Sequence, residues 1–456
     1  MDLSAVVKAY DVRGVVPDQL DEPIARALGA AFVDVTGADK IVTAHDMRES
    51  GPGLVRAFGE GALHRGASVV EAGLASTDLL YFASGHLGIP GAMFTASHNP
   101  AQYNGIKMCR ANAVAIGQDS GLVEIRDRAS AYLESGLAAA VGSSAGVEQT
   151  DLLTAYAEYL RALVDLSGIR PLTVAVDAGN GMGGYTVPAV LGDAVLPTLP
   201  LRIVPLYFEL DGSFPNHEAN PLDPANLVDL QRAVVEHGAD IGLAFDGDAD
   251  RCFVIGADGR AISPSTITCL VAERELARNP GATVIYNLIT SRAVPEIIGE
   301  NGGIPVRTRV GHSFIKGEMA RTGAVFGGEH SAHYYFRDFW NADTGMLAAM
   351  HVLAALGEQP GPLADLVAPY ERYAASGEIN STVVDQAARV AAVRAEFAVD
   401  GAEVDELDGL TVSRPDGSWF NVRASNTEPL LRLNVEAGTE DAMSALRDAV
   451  LALIRA

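Results

Sequence analysis

At 456 residues the chain is too long for one hydrophobic core, and length alone predicts about three or four domains. Apolar residues make up 48% and charged residues 20%, the profile of a soluble globular protein. The formal net charge of −25 argues against nucleic acid or an anionic membrane as partner, because both need basic patches. Any site for an anionic substrate must therefore gather its cations locally.

The chain opens on Met1-Asp2-Leu3 without a basic or long apolar stretch, so no signal peptide is expected. No window reaches 18 uninterrupted apolar residues, so no transmembrane helix is expected either. Cys109, Cys252 and Cys269 are odd in number, far apart and without a C-x-x-C. They predict a reducing, cytoplasmic setting with no disulfide framework.

The first strand-like run, Ile41-Val42-Thr43-Ala44, leads into His45-Asp46. A second, Ile89 to Phe94, breaks into Thr95-Ala96-Ser97-His98-Asn99-Pro100, which reads as a buried strand delivering a loop. Ser97 then stands just past the strand's C-terminal end, where open α/β sheets place their ligands. Ser97 and His98 are adjacent, so their side chains should point apart, and no G-x-S-x-G elbow is present. A serine without a local base reads as a phosphoryl carrier rather than an acyl-transfer nucleophile. Lys107, ten residues on, is a proton-transfer candidate if it is buried near other cations.

A helix follows over 151–166, with Leu152, Leu153, Tyr156, Tyr159, Leu160 and Leu163 on one face. Leu172-Thr173-Val174-Ala175-Val176 then runs into Asp177-Ala178-Gly179-Asn180-Gly181. Ile241 to Phe245 runs into Asp246-Gly247-Asp248-Ala249-Asp250-Arg251. Three carboxylates at i, i+2 and i+4 converge on one point and are costly unless a cation sits among them. Hard oxygen ligands favour Mg²⁺ or Ca²⁺. An EF-hand is excluded, since Arg251 replaces its Gly and Ala257 its Glu. Few protein carboxylates behind a strand suit Mg²⁺ completed by a phosphate oxygen. Arg251 could anchor this loop or face the phosphate.

The third pair is Thr283-Val284-Ile285-Tyr286 ahead of Asn287, then Ala324-Val325-Phe326 ahead of Gly327-Gly328-Glu329-His330-Ser331-Ala332-His333. Glu329 and Ser331 are expected on one side of an extended segment, a pair suited to adjacent sugar hydroxyls. Arg309-Val310-Gly311-His312-Ser313-Phe314-Ile315-Lys316 adds cations and a titratable histidine upstream. Three such strand–loop pairs with helices between them predict three related α/β domains with mixed, largely parallel sheets.

The tail reads differently, with strands over 409–414, 419–422 and 430–435 and a tight turn at Pro415-Asp416-Gly417. Thr439 is the N-cap candidate of a closing helix. This is a smaller C-terminal α+β domain. The expected boundaries are 1–145, 146–257, 258–370 and 371–456. Arg423-Ala424-Ser425-Asn426-Thr427-Glu428-Pro429 offers a guanidinium, hydroxyls and an amide, the makings of a phosphate cradle.

Lys8-Ala9-Tyr10-Asp11-Val12-Arg13-Gly14, TASHNP, DGDADR, GEHSAH and RASNTEP, in that order, resemble the α-D-phosphohexomutase family. The similarity runs from residue 8 to residue 429, nearly the whole chain. It implies four domains around a central cleft and interconversion of hexose 6-phosphate and hexose 1-phosphate. Residues matching Ser97 are phosphorylated in such enzymes, and those matching Asp246, Asp248 and Asp250 hold Mg²⁺ with the phosphoserine. Glu329 and Ser331 match the residues that read sugar hydroxyls, while Arg423, Ser425, Asn426 and Thr427 match those that grip the substrate's phosphate. Arg13, Lys107 and His312 match residues near the transferring phosphate, and His98 and Arg251 are supporting candidates. The resemblance also implies a hexose 1,6-bisphosphate as intermediate and activator, and a monomer or small homo-oligomer. It points to mannose or glucose phosphates as substrates, with phosphoglucosamine mutase the alternative and a non-catalytic phosphosugar-binding protein a remote one. His330, where many relatives have Met or Gln, Ala332, where many have Gly, and Ile289, near a sugar-contacting Lys of some members, are departures that bear on the choice of sugar.

Overall fold

The computed structural model describes residues 3–8, 10–141, 144–399, 401–424 and 430–456. The strand–helix alternation of the sequence becomes three α/β sheets, and in each the predicted site loop leaves an equivalent strand. Gly91–Phe94 is parallel to Lys40–His45 on one side and antiparallel to Tyr103–Arg110 on the other. Ile241–Phe245 lies between parallel Leu172–Asp177 and antiparallel Cys252–Gly256. Phe326–Gly328 lies between parallel Thr283–Asn287 and antiparallel Tyr334–Phe336. All three strands are buried along their whole length, as their unbroken apolar runs require of strands covered on both faces. Their C-terminal ends deliver Ser97, the aspartate loop and the Glu329 loop.

The fourth sheet is antiparallel through Leu430–Ala437, Trp419–Ala424, Leu410–Ser413 and Glu403–Asp405. The helix Glu440–Ile454 packs on it through Met443, Leu446, Val450 and Ile454, and Thr439 caps it by accepting the Ala442 N–H. The turn expected at Pro415-Asp416-Gly417 forms, with the Gly417 N–H donating to the Arg414 carbonyl at 3.0 Å.

Two strands fall on other sides of the expected boundaries. Val147–Gln149 extends the first sheet beside Ser68–Leu74, and Ala261–Ile262 closes the second beside Cys252–Gly256. Neither short strand has an apolar core of its own to betray which sheet it joins. We accordingly propose that the chain passes between units just after residues 149 and 262. The helix expected over 151–166 is Leu153–Leu163, stopped where Val164 turns extended and Asp165 caps the Ser167 N–H.

A single apolar cluster runs from the first unit through the second and third. The fourth has a separate one, drawn only from its own residues. Among the described residues no helix is long and apolar enough to cross a membrane.

Candidate active site

The loop after Gly91–Phe94 holds Ser97 in the left-handed region, at φ 50°, with the Ser97 N–H donating to Thr95 Oγ1 at 2.8 Å. Such a conformation costs about 1 kcal/mol or more for a side chain of this kind. Arg48 is what holds it. This buried guanidinium donates Nη2 to the Ser97 and Asn99 carbonyls at 2.9 and 2.7 Å. Its Nη1 donates to the Pro100 and Tyr103 carbonyls, both at 2.9 Å. Asp46 in turn accepts from Arg48 Nε at 3.2 Å and from the Arg48 N–H at 2.9 Å. Arg48 lies two residues past the Asp46 that the sequence singles out, but its carbonyl partners come from another segment of the chain, so nothing local marks it.

The second loop brings its carboxylates to Ser97. Asp246 Oδ2 accepts from Ser97 Oγ at 2.9 Å and from Arg251 Nε at 2.8 Å. Asp248 Oδ2 accepts from Thr77 Oγ1 at 2.6 Å and from Lys107 Nζ at 2.7 Å. Asp250 Oδ2 accepts from Lys107 Nζ at 2.6 Å. The turn is tightened by Ala249 at φ 58° and by the Ala249 N–H donating to the Asp246 carbonyl at 3.0 Å. Gly247 has no alternative: a Cβ there would lie 2.4 Å from the Ser97 carbonyl oxygen.

The three carboxylates are buried and can each offer an oxygen within 4.8 Å of the others. Among the described residues Lys107 and Arg251 are the permanent cations against them, with His333 at 3.8 Å from Asp250 Oδ1, so three ionised carboxylates beside a neutral His333 leave one negative charge over. Asp248 Oδ1 and Asp250 Oδ1 are buried without a hydrogen-bond donor among the described residues. An excess charge and two carboxylate oxygens without a donor in a buried site fit a divalent cation taken by oxygen ligands. Burial pushes Asp246 up to about 7 against the pull of Arg251. Burial acts the same way on Asp248, but the Lys107 ammonium outweighs it and holds that carboxyl well below its usual range. Burial opposes the charge on Lys107, yet Asp248 and Asp250 keep its pKa high. Lys107 is thus set among carboxylates, not among the cations that sequence reasoning required of a proton-transfer lysine.

Ser97 and His98 do not diverge as expected. The positive φ of Ser97 turns the backbone so that His98 Nδ1 lies 3.3 Å from Ser97 Oγ. Arg251 Nη2 donates to that same nitrogen at 2.7 Å, and burial followed by the Arg251 charge holds the imidazole well below its ordinary pKa. The lone pair that would deprotonate Ser97 is therefore taken, and the absence of a base stands for a different reason. Arg251 acts as an anchor: its buried guanidinium ties the aspartate loop to the serine loop.

Arg13 reaches the serine loop through its Nη1, which donates to Asn99 Oδ1, while Nη2 pairs with Asp11 at 2.5 Å. The Glu329 segment is a tight turn and not the extended run expected, because the Ala332 N–H donates back to the Glu329 carbonyl at 3.1 Å with Ala332 at φ 65°. Glu329 and Ser331 still lie side by side, with Ser331 Oγ donating to Glu329 Oε2 at 2.7 Å and Tyr335 to Oε1 at 3.1 Å. The end of this motif supplies a residue sequence reasoning passed over. His333 Nδ1 lies 2.9 Å from Asp343 Oδ2 and 3.8 Å from Asp250 Oδ1, and its backbone bridges to Arg251. His333 is the joint between the sugar turn and the aspartate loop.

Arg423 stands on the fourth unit, donating Nη2 to Glu378 Oε2 at 3.2 Å, with Arg432 on the same carboxylate at 3.3 Å. Ser425, Asn426 and Thr427 lie outside the described residues, as does the side chain of His312, which opens the helix His312–Thr322. Ser97, His98, Lys107, Arg13, Arg251 and the three aspartates thus form one bonded constellation. Glu329 and Ser331 join it through His333, and Arg423 is held on the fourth unit by Glu378.

Three site loops on equivalent strands, joined by a fourth unit with its own sheet and core, define a four-unit α/β enzyme of phosphoryl transfer. Models of the phosphoglucomutase/phosphomannomutase α/β/α domains I, II and III match residues 4–134, 154–259 and 263–373, and that of the C-terminal domain matches 378–453. The chain belongs to the phosphoglucomutase/phosphomannomutase family, whose members are intramolecular phosphotransferases. A relative from Xanthomonas campestris pv. campestris named for phosphohexose mutases is 42% identical, over 96% of each chain. A phosphomannomutase from Escherichia coli is 38% identical over 98% of each chain. The crystal structure of a phosphoglucomutase/phosphomannomutase family protein from Burkholderia thailandensis superposes with a TM-score of 0.86 at 33% identity, over 99% of this chain and 97% of that one.

Proposed function

We infer that the protein is a phosphomannomutase that also handles glucose phosphates, working in the cytoplasm on hexose 1- and 6-phosphates through phospho-Ser97 and a hexose 1,6-bisphosphate. The observation that carries this reading is Ser97 Oγ bonded to Asp246 inside a buried triad with a surplus negative charge. Asp246, Asp248, Asp250 and a phosphoserine oxygen would hold Mg²⁺, which when bound neutralises charge on the phosphoryl group. The rest falls to the chain's own residues. The Ser97 Oγ–P bond breaks as a new P–O bond forms to the sugar hydroxyl at C1 or C6, and that hydroxyl's proton leaves to a nearby base. His312 and His333 are the candidates, His333 by its place between Asp250 and the sugar turn. Lys107, the other candidate from the sequence, is held charged by Asp248 and Asp250 and offsets charge instead.

Arg13 offsets charge on the moving group, and Arg251 with Arg48 keeps the serine loop rigid against the aspartates. Glu329 and Ser331 orient the ring by its hydroxyls. Arg423, with Ser425, Asn426 and Thr427, grips the phosphate that is not transferred. The bisphosphate then turns end for end and returns its other phosphoryl to Ser97. A separately cored fourth unit suits closure over the site, which excludes the water that would hydrolyse phospho-Ser97.

Intact mass before and after exposure to glucose 1,6-bisphosphate tests the mechanism. A gain of about one phosphoryl group, absent in Ser97→Ala, is expected, and labelling of the Ser97→Ala protein would overturn it. Comparison of kcat/KM for mannose, glucose and glucosamine 1-phosphates tests the substrate. A clear preference for the amino sugar would reassign the chain to the alternative.

A further inference from the structure

Behind the Glu329–Ala332 turn, between the third and fourth units, lies a cavity of about 340 Å³. That is near the lower end of the roughly 300–1,000 Å³ typical of small-molecule sites. One wall carries His330, the corner of the sugar turn, and the other carries Asn434 from the strand Leu430–Ala437. Asn434 is only 3% exposed, yet neither its Oδ1 nor its Nδ2 has a partner among the described residues, and neither does the buried Nδ1 of His330. A buried amide left unpaired at both ends is held at a cost unless something in the cavity pairs with it.

Glu440 at the cavity's edge is exposed to solvent, and the cavity's other charged neighbours are already committed. Arg260 pairs with Glu371, Arg372 with Glu296 and Glu300, and Glu436 accepts from the Trp419 indole and the Arg292 N–H. Burial keeps His330 neutral. What the walls offer is therefore a set of neutral donors and acceptors, suited to hydroxyl groups and not to phosphate. The place is equally specific. His330 directly follows Glu329, and it feels the carboxylate of Glu378, the partner of Arg423. The cavity thus lies between the turn that would read the sugar and the arginine that would hold its phosphate.

We propose that this cavity is a neutral subsite in which Asn434 and His330 hold the sugar ring of the hexose 1,6-bisphosphate while its two phosphates exchange places. The inference rests on the mutase reading above. A bisphosphate turning between two cationic grips must release both, and a ring held by hydroxyls at a third place need not leave the enzyme. Asn434 offers both a donor and an acceptor, which pair with any hydroxyl in either orientation.

The test uses the full chain with Mg²⁺, radiolabelled phospho-Ser97 and mannose 6-phosphate, and counts labelled bisphosphate released per mannose 1-phosphate formed. In Asn434→Leu, and separately in His330→Met on the opposite wall, this ratio should rise about five- to tenfold, as expected for one lost hydrogen bond. The need for added glucose 1,6-bisphosphate should rise in step. An unchanged ratio in a folded variant overturns the subsite, and the second variant decides the matter should the first not fold. If wild-type protein forms no labelled bisphosphate at all, the mutase reading fails instead.

Discussion

Arg48 does more for Ser97 than any residue of the motif that contains it. Four carbonyl oxygens of one loop converge on a single buried guanidinium, balanced by Asp46. Lysine cannot reproduce that fork: its ammonium has three donors on a point charge, where arginine's are spread over a plane. Arg48→Lys should therefore lower kcat on the order of 100-fold, as misplaced reacting groups do. It should also destabilise the fold by about 3 kcal/mol through a broken buried network. Steady-state kinetics together with urea unfolding read both, and wild-type kcat in this variant would remove Arg48 from the account.

Two carboxylate oxygens with no donor among the described residues, Asp248 Oδ1 and Asp250 Oδ1, make a second prediction at the same scale. Divalent cation that binds only the folded site raises stability by mass action, about 2.7 kcal/mol at a hundredfold excess over its dissociation constant. Stripping the protein with EDTA should lower its melting temperature and abolish turnover, and Mg²⁺ should restore both. In Asp248→Asn the thermal response to Mg²⁺ should largely vanish. A melting temperature indifferent to EDTA and Mg²⁺ in the wild type would speak against the triad as a metal site.

The serine and aspartate loops work only because they touch, and Gly247 is where they do. Its absent side chain leaves room for the Ser97 carbonyl, and beside it Thr77 Oγ1 donates to Asp248 Oδ2 at 2.6 Å. Gly247→Ala places a methyl at 2.4 Å from that oxygen, against a backbone that Arg48 holds fixed, so the aspartate loop must back away. The expected result is a loss of at least about 100-fold in kcat with helix and strand content retained by circular dichroism; near-normal turnover would show that the loops have slack.

What sequence alone revealed follows from the same local rule. A buried strand ending in small and polar residues announces its own loop, so Ser97, the three aspartates and Glu329 were legible. Partners that reach in from other segments were not. Arg48 and His333 act through backbone carbonyls and a carboxylate brought near by tertiary packing, and no spacing rule encodes that. The extended reading of Glu329–Ser331 failed because Ala332 takes a left-handed turn, a conformation its side chain does not advertise. The boundary strands failed for want of length, since Val147–Gln149 is exposed and Ala261–Ile262 is two residues long.

At the scale of the molecule, the first three units are joined by one apolar cluster, beside a further one within the first, and meet at Asp78. Its carboxylate, wholly buried, accepts from Ser76 in the first unit, from Tyr156 in the second at 2.7 Å and from Thr344 in the third at 2.6 Å. Burial outweighs these three donors and raises its pKa from 3.8 to about 6. A carboxyl whose folded pKa lies above its unfolded value favours the protonated fold. Its contribution is fully present below about pH 4 and is lost as pH rises through 6. The size is about 3 kcal/mol at most, two pKa units at roughly 1.4 kcal/mol each. Asp78→Asn removes the titration and leaves the packing of three units otherwise alike. Melting temperatures of the two proteins, measured from pH 4 to pH 7.5, should therefore diverge at the acid end, the wild type gaining on the variant as pH falls through 6. Parallel curves across that range would mean that Asp78 stays ionised in the fold, its three donors outweighing burial, and that the three units are joined there by charge-assisted hydrogen bonds instead.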